Sequence, residues 1–467
     1  MQRKASVYRN FILNDPILDY LNVHGKFLGY KRDDDFQNFN ASLLLDNYIS
    51  KNKSIFIDKI HETLKGYFFN YTTDKGNVDL VMKTSDLKLF FSNHEKYVGD
   101  GYSMFTIEYA NIHRNKQKRL STSTKEQRYY AFKNWLLKKE MSMTTAMKID
   151  YSFVLGRRYD DYANFNLLIE NTNTYDHLLE EADAHFDKLN GYTIGLDLFP
   201  NMKNNSDFPW HHAKKVIAVK NKEISLIRGV SIKERNAYII SGKTCYTHIN
   251  HPMVENNKDF IINGDEKLQI GDNFLFIDFE ILTSVYDTFS KFPKCNTDQW
   301  IFNIGCGYTK RKNFCFNSYV ANTLPQEETI ISQFVSFMEE LPGKQVTLVH
   351  WTDIERRLFV QKIEQYSIKI SKEILWLDLH KFFVNNNVLI RGCFNYKLKF
   401  VSRKLREHGL ITSKWDNSFA DGLGAMTGYI QYLRSKDQRI IKSIAHYNMI
   451  DCRVLWEIYE LILNYQK

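Results

Sequence analysis

The sequence predicts an α/β protein of more than one domain, with a mixed sheet flanked by helices in its carboxy-terminal part. Strand-length apolar runs alternate with helix-length amphipathic stretches along most of the chain. From about residue 271 three strand-like runs follow one another, "FLFIDFE", "WIFNIGCGY" and "NFCFNSYV", and then a helix and a further strand. The 467 residues are 43% hydrophobic and 15% aromatic, enough to build separate cores at roughly 150 residues per domain. Only 7 prolines occur, which disfavours long linkers.

Taken in order, residues 1–204 mix strand-like runs ("VDLVMKT", "FTIEYANI") with the helix-like "DDYANFNLLIENTNTYDHLLEEADAHFDKLN" and read as one α/β domain. Residues 205–270 carry short β-type runs, "KKVIAVKN", "EISLIRG" and "AYIISG", broken by Gly and Asn, and read as a β-rich connecting subdomain. Residues 271–467 form the last domain. After its three strands comes the helix "EETIISQFVSFMEELPG", stopped by Pro342 and Gly343, then the buried strand "KQVTLVHW", then helix-rich sequence to the end. Three strands, a helix, a strand and helices is the order of a ribonuclease-H-like fold.

Lys and Arg number 63 against 54 Asp and Glu, a net charge of +9, which suits a polyanionic partner and equally suits simple solubility. The amino-terminal "MQRKASVYRNFILND" has no apolar run behind its basic residues, and no segment is apolar for long enough to span a bilayer, so a soluble, intracellular protein is expected. Cys245, Cys295, Cys306, Cys315, Cys393 and Cys452 are scattered, without zinc or disulfide spacing. His211 and His212, and His248 and His251, lack further ligands at metal spacing and are read as structural.

The chemistry concentrates in acids. Asp278 and Glu280 lie two apart on a strand and therefore on one face, an arrangement that is costly to bury unless a cation shares it. Asp353 and Glu355 fall where "TLVHW" runs into a helix, and His446, Tyr447 and Asp451 sit on one amphipathic helix, with Tyr447 and Asp451 four apart. The segment "NYKLKFVSRKLREHG" sets Lys399, Arg403 and Arg406 on one helical face, opposite Leu398, Val401 and Leu405, a face able to follow phosphates.

These residues resemble the DEDD superfamily of 3′–5′ exonucleases, and within it the RNase H-like domain of the predicted RecB-like nuclease family. The stretches that carry the resemblance are "FLFIDFE", "LVHWTDIERRLF", "WLDLHKFF", "FNYKLKFVSRKL", "DGLGAMTGYIQYL" and "YNMIDCRVL". It implies that Asp278, Glu280, Glu355 and Asp451 bind two Mg²⁺ or Mn²⁺ ions, Glu355 standing where most of the superfamily has Asp. It also implies a water-orienting residue. His446 and Tyr447 both fit on spacing, and Tyr447 is preferred because "YNMIDC" is what this branch shows. The implied activity is metal-dependent 3′–5′ hydrolysis of single-stranded nucleic acid, DNA favoured over RNA, with replication or repair proteins as partners. The alternative is a catalytically weak or inactive nucleic-acid-binding scaffold. Survival of all four acids and the tyrosine favours the enzyme.

The same family carries a PD-(D/E)xK nuclease-like domain upstream, and "RNFILNDPILDYLN", "GNVDLVMKTSD", "FTIEYANI", "YSFVLGRR" and "DFPWHHAKK" are similar to it. Asp79 and Glu108 match its first two acids. Ala110 stands where its lysine belongs, Ile57 where a helical acid would be, and Gln127 is followed by Ala131 in place of a tyrosine. The resemblance therefore implies a degenerate nuclease domain, whose basic run "HRNKQKRL" would suit a nucleic-acid surface.

Overall fold

The computed structural model describes residues 4–13, 15, 17–32, 54, 55, 58, 71–89, 94–108, 125–155, 167–169, 174–190, 199–204, 207, 209–268, 273–282, 299–415 and 422–466. They fall into two compact units that divide between Asn221 and Lys222. Ile57, Ala110, Cys295 and the run at 113–120 lie outside the described residues. No helix among the described residues is long and apolar enough to cross a membrane.

The first unit contains helices α1 (Lys4–Ile12) and α2 (Ile17–His24), strands β1 (Tyr71–Thr73), β2 (Gly76–Val78), β3 (Leu80–Lys83) and β4 (Tyr102–Ile107), helix α3 (Lys125–Thr144), strands β5 (Ile149–Leu155) and β6 (Leu167–Ile169), and helices α4 (Asp176–Asn190) and α5 (His211–Lys220). Strands β3-β4-β5-β6 form one sheet, parallel only between β4 and β5, and α3 makes the crossover between those two. Leu167–Ile169 is a strand, although the sequence around it reads as helix; Leu167 and Leu168 pair with Leu155 and Val154. The unit is pinned by the fully buried Lys214, whose ammonium meets Asp15 at 2.8 Å and Asp207 at 2.5 Å. His211 Nδ1 lies 2.9 Å from Asp207, and His251 accepts from the Met253 amide, so these histidines have structural partners.

The second unit begins with α6 (Ile232–Ile240) and α7 (Pro252–Glu255). Among the described residues of 205–270 the regular elements are helices, His211–Lys220, Ile232–Ile240 and Pro252–Glu255, joined by turns and loops, where a β-rich subdomain was expected. In "HHAKKVIAVK" the buried positions are Ala213, Lys214, Ile217 and Ala218, a helical and not an alternating spacing. In α6 a capping box joins Ser231 and Glu234, which fixes the helix start despite the β-branched residues that follow. The segment also gives Ile261 to a two-residue bridge with Leu389.

Then come β7 (Phe274–Leu282), β8 (Trp300–Lys310), β9 (Asn313–Val320), α8 (Glu327–Glu340), β10 (Gln345–His350), α9 (Asp353–Tyr366), β11 (Glu373–Asp378), α10 (Leu379–Asn385), α11 (Leu398–Glu407), α12 (Gly422–Ser435) and α13 (Gln438–Tyr465). The sheet runs β11-β10-β7-β8-β9, with β7, β8 and β9 antiparallel and β10 and β11 parallel to β7's direction. Strand β11, "EILWLD", was not separated from the helix-rich tail in the sequence; its pairing with β10 over six residues makes it a strand.

Both faces of this sheet are covered. Leu275, Ile277 and Phe279 of β7 point into a core with Ile330, Phe334 and Phe359 of α8 and α9. Phe276 points the other way, into a core with Val454, Leu455 and Ile458 of α13. Alternation then places Asp278 and Glu280 on the α13 face, where the apolar core gives out.

Candidate metal centre

The strand and the last helix bring Asp278, Glu280 and Asp451 together. One carboxylate oxygen from each lies within 4.8 Å of the other two. Glu280 and Asp451 are 4% and 5% exposed, so two of the three acids have almost no water to share their charge.

Their proximity follows from how α13 packs. Its buried stripe (Ile444, Tyr447, Asn448, Asp451, Cys452, Leu455) repeats at three and four residues and lies over β7 and β8. Close approach is possible because Gly305 pairs with Asp278 in the sheet; a methyl group at position 305 would overlap Asn448 Oδ1. In the room so left, Asn448 Nδ2 donates to the Asp278 carbonyl at 3.1 Å and to its Oδ2 at 2.7 Å.

Burial dominates the electrostatics. It pushes the Asp278 carboxyl up to about 6, with the Asn448 hydrogen bond and the Lys399 ammonium pulling back. Burial raises Glu280 and Asp451 well above the carboxylate range, and the charge of Asp278 adds to both. For Asp451, Lys399, Trp415 and Tyr447 offset the rise in part.

Glu355, in the first turn of α9, stands at the border of this group. It is 6% exposed and raised chiefly by burial, then by Asp278 and by Asp378 at the end of β11. His350 Nδ1 contacts the Thr352 carbonyl and lies 3.9 Å from Glu355 Oε2. Asp353 is solvent-exposed, beside Arg356.

Tyr447 is buried next to Asp451, whereas His446 is exposed on the same helix. On α11, Val401 and Leu405 are fully buried as the amphipathic pattern requires. The Lys399 ammonium is 4.4 Å from the Tyr447 ring centre and 5.5 Å from that of Trp415. Arg403 is exposed, over Phe400 and 3.8 Å from Glu407, and Arg406 is half-buried.

Several buried polar atoms here end without a hydrogen-bond partner: Glu355 Oε2, Asp451 Oδ2, Asn448 Oδ1, Asn303 Nδ2 and His350 Nε2. Buried polar groups are rarely left so, and oxygen ligands of this charge suit hard cations such as Mg²⁺ or Mn²⁺. The residues present fit a divalent metal.

Residues 294–463 match the RNase_H_2 family, of the RNase H superfamily. The carboxy-terminal unit carries an RNase H-like domain. The match begins after β7, so Asp278 and Glu280 are joined to it by the sheet order and by the cluster with Asp451. Against the curated proteins the chain has no match. Nucleases of this RNase H-like class generally use divalent metals, which agrees with the donor set. Asn448, Trp415, Asn303 and Asp378 join the site without having been singled out in the sequence. The alternating glycines of "NIGCGY" were a signal for Asn448, since they mark a strand that another element approaches closely.

In the first unit, Asp79 Oδ2 accepts from the Ile107 amide at 2.6 Å, and Glu108 is paired at 2.7 Å with Lys133 of α3. The ion pair holds the Lys133 ammonium above its usual range despite burial.

Proposed function

We propose that the RNase H-like domain is a metal-dependent 3′–5′ exonuclease of the DEDD type, acting on single-stranded nucleic acid, with DNA favoured over RNA. The observation that carries the reading is the triad Asp278, Glu280 and Asp451, whose carboxylate oxygens lie within 4.8 Å of one another, with Glu280 and Asp451 buried and Asp451 Oδ2 left without a hydrogen-bond partner. When bound, two divalent ions supply positive charge for the attacking and leaving oxygens of a phosphodiester. Asp278 and Glu280 on the strand and Asp451 on the helix would hold the ions, with Glu355 at the start of α9 as the further carboxylate. Asn448 fixes the rotamer of Asp278. Tyr447, buried beside Asp451, orients the attacking water, a role for which the exposed His446 is poorly placed. Arg403 and Arg406 lie on the adjoining helix, where they would follow the strand's phosphates.

The first unit fits a PD-(D/E)xK-like domain that no longer cuts. A mixed sheet with a helical crossover between parallel β4 and β5 supports the fold reading, and engagement of Glu108 by an internal ammonium supports the loss of activity. Replication or repair proteins are the partners that this activity would serve.

The test is end-labelled single-stranded DNA and RNA with Mg²⁺, Mn²⁺ or EDTA. Shortening from the 3′ end is expected with metal only, abolished in Asp278→Ala and Asp451→Ala and unchanged in Asp79→Ala and Glu108→Ala. Near-normal turnover of Asp278→Ala would sink the site assignment.

A further inference from the structure

The segment that precedes the RNase H-like sheet presents a cation to it from a fixed loop. Ile224, Ile227, Val230 and Ile249 form a small core against which Phe394 packs, and the Arg228 amide donates to the Phe394 carbonyl at 2.6 Å. Gly229, at φ +86°, turns the chain away directly afterwards. The Arg228 guanidinium carbon lies 4.7 Å from the centre of the Tyr396 ring, and the residue is half-buried. No carboxylate among the described residues pairs with it, whereas Arg235 of α6 is bound to the buried Glu223 at 2.6 Å. An aromatic ring holds a guanidinium by one face without neutralising it and leaves its N–H edge, which is shaped for two oxygens of one phosphate.

A path of direct contacts leads from this arginine towards the carboxylates. The carbonyl of the buried Tyr396 accepts from Trp351 Nε1 at 2.9 Å, and the half-buried His380 ring lies 6.0 Å from that of Trp351 and 6.3 Å from that of Tyr396. Val349 pairs with Phe276 at the end of the β10–β7 ladder, and both join Trp351 in the core on the α13 side of the sheet. Two positions further along each chain stand Trp351 and Asp278, so alternation brings both out on that same side. A cation set among aromatic rings is what single-stranded nucleic acid requires of a groove. We propose that Arg228 binds a backbone phosphate of the single-stranded substrate, making the 222–268 segment part of the substrate site of the RNase H-like domain. The proposal deepens the nuclease reading and rests on it for the nature of the ligand. Tyr396 and Trp351 set the arginine back from Asp278, so the phosphate it meets is not the scissile one but one further along the strand.

Arg228→Gln removes the charge and keeps a planar amide; Arg228→Lys keeps the charge and gives up the fork. In the full chain the readouts are fluorescence anisotropy of an end-labelled single-stranded oligodeoxynucleotide in EDTA from about 50 to 200 mM KCl, its cleavage in Mg²⁺, and thermal unfolding. Arg228→Gln should bind about tenfold more weakly, the loss of one hydrogen-bonded charge contact. The slope of log affinity against log salt should become shallower by about 0.7, the share of one phosphate on a single strand. In Mg²⁺, kcat/KM should fall by a similar factor, while melting stays within about 2 °C of wild type. Arg228→Lys should keep the salt slope and recover part of the affinity. Wild-type affinity and slope in Arg228→Gln would overturn the proposal. So would a loss of affinity at unchanged slope, a melting deficit of several degrees shared by both variants, or failure of Arg228→Gln to fold, each of which marks a packing role. If wild type does not cut in Mg²⁺, the nuclease reading fails, while the change of affinity and slope in EDTA still assigns the phosphate contact; a wild type that binds no oligonucleotide overturns both.

Discussion

Asn448 shows how a site of this kind depends on residues that touch no substrate. Its amide fixes Asp278 from a helix, and it has room to do so only because residue 305 is glycine. Asn448→Ala should therefore lower metal affinity or activity about 10–100-fold with little change in melting, the usual cost of removing the group that orients a ligand. Gly305→Ala should reach the same end indirectly, by displacing Asn448, and metal titration by calorimetry distinguishes both from simple unfolding. For the water-orienting role, Tyr447→Phe should slow single-turnover cleavage by ~10²–10⁴-fold and His446→Ala much less. The reverse ranking would transfer the role to the histidine. At this scale the acids were legible and their helpers were not. Asp278, Glu280 and Asp451 stand out because carboxylates in apolar runs are conspicuous. Asn448, Trp415 and Asp378 are ordinary residues until the fold sets them beside the acids.

At the scale of elements, the sheet was legible wherever one strand alternates between two cores. Phe276 and Ile277 point into different helical layers, and the run of apolar residues they belong to reads as a strand buried on both faces. Strand β11 escaped notice because "EILWLD" is short and leads directly into α10. The segment 205–270 was misread for the opposite reason. Its β-branched runs have strand propensity, but its regular elements among the described residues are helices, and in His211–Lys220 the buried positions recur at helical spacing, so packing overrides propensity. The joins between elements have their own chemistry. Glu327, at the start of α8, accepts from the Ile301 amide at 2.6 Å and pairs with Lys362 of α9 at 2.9 Å, both side chains being 1% exposed. Lys362→Met leaves that carboxylate buried without its counter-ion, and should cost about 3–5 kcal/mol in chemical denaturation. Adding Glu327→Gln in the same chain should restore part of the loss.

For the whole molecule, the carboxylate cluster is expected to make stability depend on pH and on divalent metal together. Asp278 titrates near 6 in the fold against an ordinary value of 3.8, so the folded state holds its proton more tightly. Its contribution is therefore fully stabilising below about 4 and is lost as the pH rises through 6. Metal-free protein should show this as a fall in melting temperature across that window, smaller in Asp278→Asn, and Mg²⁺ added above pH 6 should reverse it. Differential scanning calorimetry of the two proteins in EDTA and in Mg²⁺ measures each part. An identical pH profile for Asp278→Asn would mean that the cluster does not govern the effect.

The bond between Asn448 and Asp278 also joins residues 170 positions apart in the chain. Contacts of such separation carry a large loop-closure cost and are favoured only after the intervening strands and helices have found their places. Hydrolytic competence should accordingly be among the last properties the domain gains as it refolds and among the first it gives up in mild denaturant. Loss of cleavage would then precede loss of the helical signal, which makes activity a finer gauge of the docking of α13 than any spectroscopic average over the chain.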